Sequence, residues 1–189
     1  DISLFRFDTA KRGRYTNYPP YGLLSLASHL ETLGVDVRVC NLNNEILKNC
    51  TECDTEESFD FDTVWQSKLV EDLKEFEPDL VGTSCMFTMT HGSLKNVCAL
   101  IAKHNTPIAI GGVHVSNDVE RVLDDISTAS IAFLREGEIS IKDFVSVVQG
   151  KLPIDNLSQV ILDDNGSRMR FLNPALPTAE DIDVLPAYS

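Results

Sequence analysis

Short apolar runs alternate with helical segments along most of this chain, and this alternation constrains its fold more than any other feature. Five runs predict strands, namely Ile2–Phe7, Val35–Leu42, Pro78–Phe87, Thr106–Gly112 and Ala129–Leu134. Helical periodicity is found in Pro19–Gly34, Phe61–Glu77, Ser93–Asn105, Asn117–Asp125 and Ser140–Gly150. Because parallel strands need long, usually helical connections, this order predicts an α/β fold with a doubly wound, five-stranded parallel sheet and flanking helices.

The pattern changes after residue 150. Two strand-like runs flank Asp164-Asn165-Gly166, a sequence typical of a β-hairpin turn. The segment from Asn173 to Ser189 contains three prolines and has no periodicity. We therefore predict one domain over residues 1–150, followed by a β-hairpin and an extended linker over residues 151–189 that leads to a further domain.

Composition narrows the classes of partner. A formal charge of −13 over 189 residues argues against nucleic-acid binding, and no apolar run is long enough for a membrane span. Five cysteines, an odd number without a secretory leader, favour reduced thiols and a cytoplasmic location. Cys50 and Cys53 have zinc-like spacing, but no second pair follows, so no metal site is predicted. Since Asp1 directly precedes a strand-like run, we expect a piece of a longer protein.

Four segments follow predicted strands at the edge of the sheet where ligands bind in open α/β folds. They are Tyr18–Gly22, Ser84–Gly92, Gly111–Ser116 and Arg135–Glu138, and each is rich in Gly, Ser, Thr or Pro. Small residues at several strand ends favour a broad, flat ligand. The adjacent glycines Gly111 and Gly112 have two interpretations, a tight turn or the close approach of a ligand to the backbone.

Four stretches, in order, resemble the cobalamin-binding domain that precedes the catalytic barrel of cobalamin-dependent radical SAM enzymes. They are PPYGLLSLASHLETLG, PDLVGTSCMF, IAIGGVHVS and LREGEISIKDFVSVVQGKLP. The resemblance covers nearly the whole chain and implies a Rossmann-like domain that positions cobalamin at the carboxyl edge of the sheet. It also implies a full-length enzyme, most often a methyltransferase, whose barrel holds a [4Fe–4S] cluster and S-adenosylmethionine. The Cys-x-x-x-Cys-x-x-Cys cluster motif is absent here, so this segment alone is not expected to be an enzyme.

The resemblance also implies which residues line the cofactor. Ser84 and Met86 match the pair that flanks the nucleotide tail, and Gly111 with Gly112 matches the glycines that let the tail pass. The other implied cofactor residues are Pro20, Tyr21 and Gly22 in the first loop, His114, and Glu136 and Gly137 after the fifth strand. No catalytic residue is predicted. The Asp-x-His-x-x-Gly motif of the methionine synthase type is missing from TNYPPYGLL, which implies cobalt without a histidine ligand from that loop.

Two other functions remain open at this point. A degenerate domain of the same type would bind no cofactor and only support the barrel. A flavodoxin-like flavin or phosphate binder would use the TMTHGS loop, although flavodoxins place their phosphate loop after the first strand. Among the histidines, His91 is within possible reach of a ligand, whereas His29 and His104 are predicted at the surface.

Overall fold

The structure, a computed structural model, describes residues 20–52 and 59–174. These residues form two compact units, of which the first contains residues 20–22, 38–52 and 59–77 and the second contains residues 23–37 and 78–174. The predicted first strand, Ile2–Phe7, and the predicted linker beyond residue 174 lie outside the described residues.

Helices and strands alternate in the second half of the described chain. The α-helices are α1 (Tyr21–Thr32), α2 (Leu42–Glu52), α3 (Phe61–Phe76), α4 (His91–Ala102), α5 (Val113–Asn117), α6 (Val119–Asp125) and α7 (Gly137–Val148). The strands are β1 (Val81–Ser84), β2 (Ile108–Gly111), β3 (Ile131–Phe133), β4 (Ser158–Asp164) and β5 (Ser167–Leu172). Short 3-10 turns span Thr88–Thr90 and Ile154–Asn156. The predicted α/β class with an open five-stranded sheet is confirmed.

The sheet has the order β1-β2-β3-β4-β5. Strands β1, β2 and β3 run parallel, and β4 and β5 are antiparallel to their neighbours. Thus β1 to β3 correspond to the predicted third, fourth and fifth strands, and the predicted hairpin supplies the other two. The hairpin therefore completes the same sheet, across the predicted domain boundary at residue 150.

The alternating segment Val35–Leu42, predicted as the second strand, has no strand assignment in its described residues 35–41. Strand assignment requires a hydrogen-bonded neighbour as well as an extended backbone. Within the described residues, this segment has no hydrogen-bonded neighbouring strand.

In the first unit, α3 begins and ends with clear signals. The Asp60 carboxylate accepts a hydrogen bond from the Thr63 amide at 3.0 Å, which caps the helix, and Glu77 ends it in the left-handed conformation. The α3 residues Trp65, Leu69 and Leu73 are buried. Their spacing of four residues places them on one side of the helix, where they form its core-facing stripe.

In the second unit, helices cover both faces of the sheet. The Thr83 hydroxyl lies 4.0 Å from the Cys98 sulfur of α4, and the Phe133 ring contacts the Phe144 ring of α7, with centroids 5.5 Å apart. Strand periodicity and register place Thr83 and Phe133 on opposite faces. We call these the α4 face and the α7 face, and they show that the sheet is wound on both sides.

His29 was predicted at the surface, and this prediction is wrong. The side chain is 1% exposed, and its Nδ1 lies 2.8 Å from the Ser25 carbonyl oxygen one turn earlier. Helix α1 packs against α7 here, since the Ser25 hydroxyl donates to the Glu138 carboxylate at 3.3 Å. The side of α1 that carries His29 is therefore covered and not exposed to solvent.

Candidate functional site

Three small residues form an open strip on the α7 face at the carboxyl ends of β1 and β2. Ser84 pairs in register with Gly111, and Gly82 lies two residues before Ser84, so all three share one face. Ser84 is exposed, and a Cβ at Gly82 would have no described atom within 4 Å. Gly111 closes the strip on one side, because a Cβ there would lie 3.4 Å from the Phe133 carbonyl oxygen. This small-residue strip (Gly82, Ser84, Gly111) lets a ligand approach the strand backbone.

Gly112 has a different explanation. Its φ is +99°, and a Cβ at this position would lie 2.5 Å from the Cys85 carbonyl oxygen. The same turn is held by two backbone hydrogen bonds, from the Cys85 amide to the Gly111 carbonyl at 2.9 Å and from the His114 amide to the Cys85 carbonyl at 3.1 Å. The tight-turn interpretation of the glycine pair therefore accounts for Gly112, whereas Gly111 is adjacent to the open strip.

Exposed apolar side chains surround the same edge. Met86 is 53% exposed and Met89 is 89% exposed, and both follow β1. Phe87 in the same loop and Val113 after β2 are also exposed. We call Met86, Phe87, Met89 and Val113 the apolar rim. Clustered exposed apolar side chains of this size are typical of a binding surface.

Contacts of Cys85 and Thr90 hold the loop that carries most of this rim. Cys85 is 2% exposed, and its sulfur lies 3.4 Å from the Phe87 carbonyl oxygen and 3.3 Å from the Thr90 hydroxyl. The Thr90 hydroxyl also donates to the Phe87 carbonyl at 2.8 Å. The apolar side chains are thus held outward by a defined turn.

The turn after β3 brings α7 to this edge. Glu136 is exposed at the N-cap, and a Cβ at Gly137 would lie 3.2 Å from the Leu26 side chain of α1, so glycine permits close helix packing. Ser140 is fully buried, and among the described residues its hydroxyl is the only buried side-chain polar atom without a hydrogen-bond partner. It lies one turn before Phe144 on the sheet-facing side of α7.

The structure places His114 apart from the small-residue strip. The ring is 3% exposed, with Nδ1 at 3.2 Å from the Thr88 hydroxyl and Nε2 at 3.0 Å from His91 Nδ1. His91 begins α4, which covers the opposite face of the sheet. Of the predicted cofactor residues, the structure therefore brings together Ser84 and Gly111, with Met86, Glu136 and Gly137 at the same edge.

The predicted residues Pro20, Tyr21 and Gly22 belong to the first unit. Tyr21 and Gly22 form the start of α1, and Tyr21 is 57% exposed.

Sequence reasoning missed Gly82 and Ser140. A glycine inside a strand is itself a signal of close backbone approach, and Gly82 precedes Ser84 by one strand period. Ser140 was assigned to the start of the last helix, but α7 begins at Gly137, so the hydroxyl lies inside the helix. The spacing of Ser140, Phe144 and Val147 indicates one helix side.

Comparison with known proteins identifies the family. The chain matches the family model of the B12 binding domain over residues 11–145. It belongs to this family. This B12 binding domain is 27% identical over 177 residues to cytidylyl-2-hydroxyethylphosphonate methyltransferase from Streptomyces wedmorensis. The match covers 93% of the chain and 32% of that relative, so the chain spans about a third of the relative's length.

Solved structures share the fold of this B12 binding domain. The radical S-adenosylmethionine methyltransferase TsrM from Kitasatospora setae, with cobalamin and a [4Fe–4S] cluster bound, superposes with a TM-score of 0.63 at 20% identity. That match covers 84% of this chain and 28% of TsrM. The cobalamin-dependent S-adenosylmethionine radical enzyme OxsB, with aqua-cobalamin and S-adenosylmethionine bound, gives 0.64 at 16% identity, covering 87% of this chain and 21% of OxsB.

The predicted membership of a cobalamin-binding domain family is thus confirmed. The solved structures that share its fold are radical S-adenosylmethionine enzymes. The flavodoxin-like alternative is not favoured by these matches. No described helix has the length and apolar character needed to cross a membrane. Within residues 20–52 and 59–174, no three His, Cys, Asp or Glu side chains are arranged to hold a metal ion.

Proposed function

We propose that this B12 binding domain holds cobalamin at the carboxyl edge of β1, β2 and β3, with the nucleotide tail over the small-residue strip. The observation that carries the proposal is the open α7 face at Gly82, Ser84 and Gly111. A Cβ at Gly82 would meet no described atom within 4 Å. The opening is on the same face as the orphan hydroxyl of Ser140.

The remaining residues fit a large ligand with a flat ring and a polar tail. In the proposal, Ser84 and Ser140 offer hydroxyl groups to the tail, and the backbone at Gly111 contacts it directly. Met86 and the rest of the apolar rim contact the ring. Glu136 and Gly137 border the site, and Pro20, Tyr21 and Gly22 remain predicted contacts of the first loop.

Gly112 and His114 receive other roles in this proposal. Gly112 shapes the turn that positions Gly111, and His114 belongs to a hydrogen-bonded chain on the α4 side. When bound, cobalamin supplies a cobalt centre that can carry a methyl group. The contribution of this chain is to bind and orient that group and to cover its tail.

For the full-length protein we propose a radical SAM methyltransferase in which a second part of the same chain holds a [4Fe–4S] cluster and S-adenosylmethionine. The similarity to a methyltransferase over 93% of this chain supports this proposal. We further propose a cytoplasmic location, which agrees with the free thiols of Cys40, Cys85 and Cys98. Nucleic acid and membrane are not among the proposed partners.

The test is a visible absorption titration of the chain with hydroxocobalamin, followed by gel filtration. We expect colour to migrate with the protein, with a spectrum that shows no nitrogen ligand to cobalt. The variant Gly82→Leu fills the strip and should weaken binding at least about tenfold, since placing a bulky side chain in a ligand's space costs more than 1.4 kcal/mol.

The matched control is Gly92→Leu on α4, where a Cβ also meets no described atom within 4 Å. This variant should bind cobalamin as the parent does. Circular dichroism establishes that both variants are folded. A folded parent that takes up no cobalamin would support the degenerate scaffold, and equal binding by both variants would place the tail elsewhere.

A further inference from the structure

A continuous chain of hydrogen bonds runs from the candidate site to the outer surface of α6. The Thr88 hydroxyl lies 3.2 Å from His114 Nδ1, and His114 Nε2 lies 3.0 Å from His91 Nδ1. His91 Nε2 lies 2.8 Å from the Asp125 carboxylate, which also accepts a hydrogen bond from Lys95 at 2.6 Å. The two rings meet edge to face, with centroids 5.1 Å apart. All four nitrogen atoms of the two imidazoles therefore have a partner.

This geometry permits two proton arrangements. In the neutral arrangement His91 Nε2–H donates to Asp125, His114 Nε2–H donates to His91 Nδ1, and the Thr88 hydroxyl donates to His114 Nδ1. Uptake of one proton from water at His114 Nδ1 moves the Nε2 proton of His114 to His91 Nδ1. His91 then carries the positive charge beside Asp125, and His114 Nδ1–H donates to Thr88. A second added proton would put a hydrogen on both His114 Nε2 and His91 Nδ1, which are 3.0 Å apart and could then no longer form a hydrogen bond. The pair therefore takes up one proton.

We propose that His91 and His114 share a single transferable proton, and that its uptake reverses the Thr88 hydrogen bond. In the neutral arrangement the Thr88 hydrogen is used by His114. In the charged arrangement the Thr88 oxygen accepts, and its hydrogen is released toward the exposed edge that carries the apolar rim. Thr88 thereby becomes a donor to an acceptor group there, such as an amide carbonyl. The donation from Thr88 to a ligand rests on the proposed function, whereas the sharing of one proton by His91 and His114 is a property of the chain alone.

The charged and titratable groups around the pair lie on α6, on α4 and in the loop after β1. The Asp125 carboxylate faces it from α6, and hydrogen bonds from Lys95 and from His91 hold the pKa of Asp125 below its ordinary value. Lys95 is the nearby cation on α4, and it is already paired with Asp125. From the loop after β1 the neighbours are the hydroxyls of Thr88 and Thr90 and the buried thiol of Cys85. In the charged arrangement the positive charge of His91 thus lies next to the Asp125 carboxylate, and the neutral ring is that of His114, which is the more buried of the two.

The test is nitrogen-15 NMR of the imidazole rings in the chain without cobalamin, followed from about pH 8 to about pH 5, where histidines usually change charge. We expect His91 and His114 to take up one proton between them, with His114 changing from the Nε2–H to the Nδ1–H tautomer. Separate full protonation of both rings, or an unchanged His114 tautomer, would overturn the proposal.

Two variants separate the ends of the chain. Asp125→Asn removes the carboxylate beside His91 and should move proton uptake by the pair to lower pH. Thr88→Val removes the partner of His114 Nδ1 in both arrangements, since the hydroxyl donates in the neutral one and accepts in the charged one. It should therefore change the pH of proton uptake by the pair and the tautomer of His114. If Thr88→Val left both the uptake and the tautomer change as in the parent, Thr88 would not belong to the relay. Since these spectra need no cofactor, this result is independent of whether hydroxocobalamin binds.

Discussion

A Cβ atom at position 112 would lie 2.5 Å from the carbonyl oxygen of Cys85, which is closer than nonbonded atoms approach in folded proteins. The positive φ of +99° adds conformational strain for any other residue. We therefore expect Gly112→Ala to lower the free energy of unfolding by about 2–3 kcal/mol. Gly111→Ala is the control, since its Cβ would make an ordinary 3.4 Å contact. Urea denaturation measures both, and equal losses would contradict this account.

Met86 should contribute to cobalamin binding through its apolar surface. Burying a methionine side chain against a ligand is worth about 1.5–3 kcal/mol, so we expect Met86→Glu to raise the Kd for hydroxocobalamin about tenfold or more. Met169 on β5 is the matched control, because it is 51% exposed and Met86 is 53% exposed. Met169→Glu should leave the titration unchanged. Equal weakening by both variants would point to a general effect of added negative charge.

Arg168 joins β5 to α6 and to its own hairpin. It donates to Glu120 and Asp124 at 2.6 Å and to Asp163 at 2.7 Å. Hydrogen bonds from Arg170 and Arg168 lower the pKa of Glu120. Burial raises the pKa of Asp163, but bonds from Arg168 and the Gly166 amide outweigh it, so that pKa is also lowered. These carboxylates stabilise the fold above their ordinary pKa values, and this contribution is lost as the pH falls through the lowered values.

We therefore expect Arg168→Met to cost about 1–2 kcal/mol near pH 7, with the difference from the parent shrinking toward about pH 3. Thermal or urea unfolding at several pH values measures it. Arg121→Met is the control, because Arg121 pairs with Asp118 at an exposed site and should cost less than about 0.5 kcal/mol. If Arg168→Met lost the same free energy of unfolding at every pH, packing and not charge would explain the loss.

Cys40 and Cys98 should react slowly in the native state. Burial raises the pKa of Cys98 to about 11, and burial together with Asp72 raises that of Cys40 to about 12. Because the thiolate is the reactive form, we expect iodoacetamide at about pH 8 to modify these thiols in the native protein far more slowly than in denaturant. Peptide mass spectrometry assigns the sites. Rapid native labelling of Cys98 would show that α4 opens from the sheet.

The sequence predicted those parts of the fold that depend on local pattern. Strands β1, β2 and β3 lie inside predicted apolar runs, and the Asn165-Gly166 turn has positive φ at both residues, as its sequence requires. It did not predict that β4 would pair with β3, because that choice depends on which strand edge remains available. Helix α2 was also missed, since most of its residues are polar and give no clear apolar stripe.

The candidate site was predictable where it depends on strand order. Parallel strands bring Ser84 and Gly111 to the same edge, whatever the side-chain packing. The hydrogen bonds of the buried His114 ring were not predictable, because its partners Thr88 and His91 are 26 and 23 residues away in sequence. A glycine at position 112 is explained either by a tight turn or by the close approach of a ligand, and the sequence alone cannot separate the two explanations. The position of the Cys85 backbone decides in favour of the turn.

The antiparallel hairpin determines where the described chain leaves the sheet. Strand β4 starts beside the carboxyl end of β3 and runs away from it, and β5 comes back, so Leu172 lies opposite Ser158. The side-chain amide of Asn173 stabilises the end of β5 by donating a hydrogen bond to the Leu157 carbonyl oxygen at 2.9 Å. Without β5 the exit would be at the far edge, about 20 Å away. The hairpin is thus a return path: any segment that continues from Asn173 starts at the same edge of the sheet as the carboxyl ends of β1, β2 and β3.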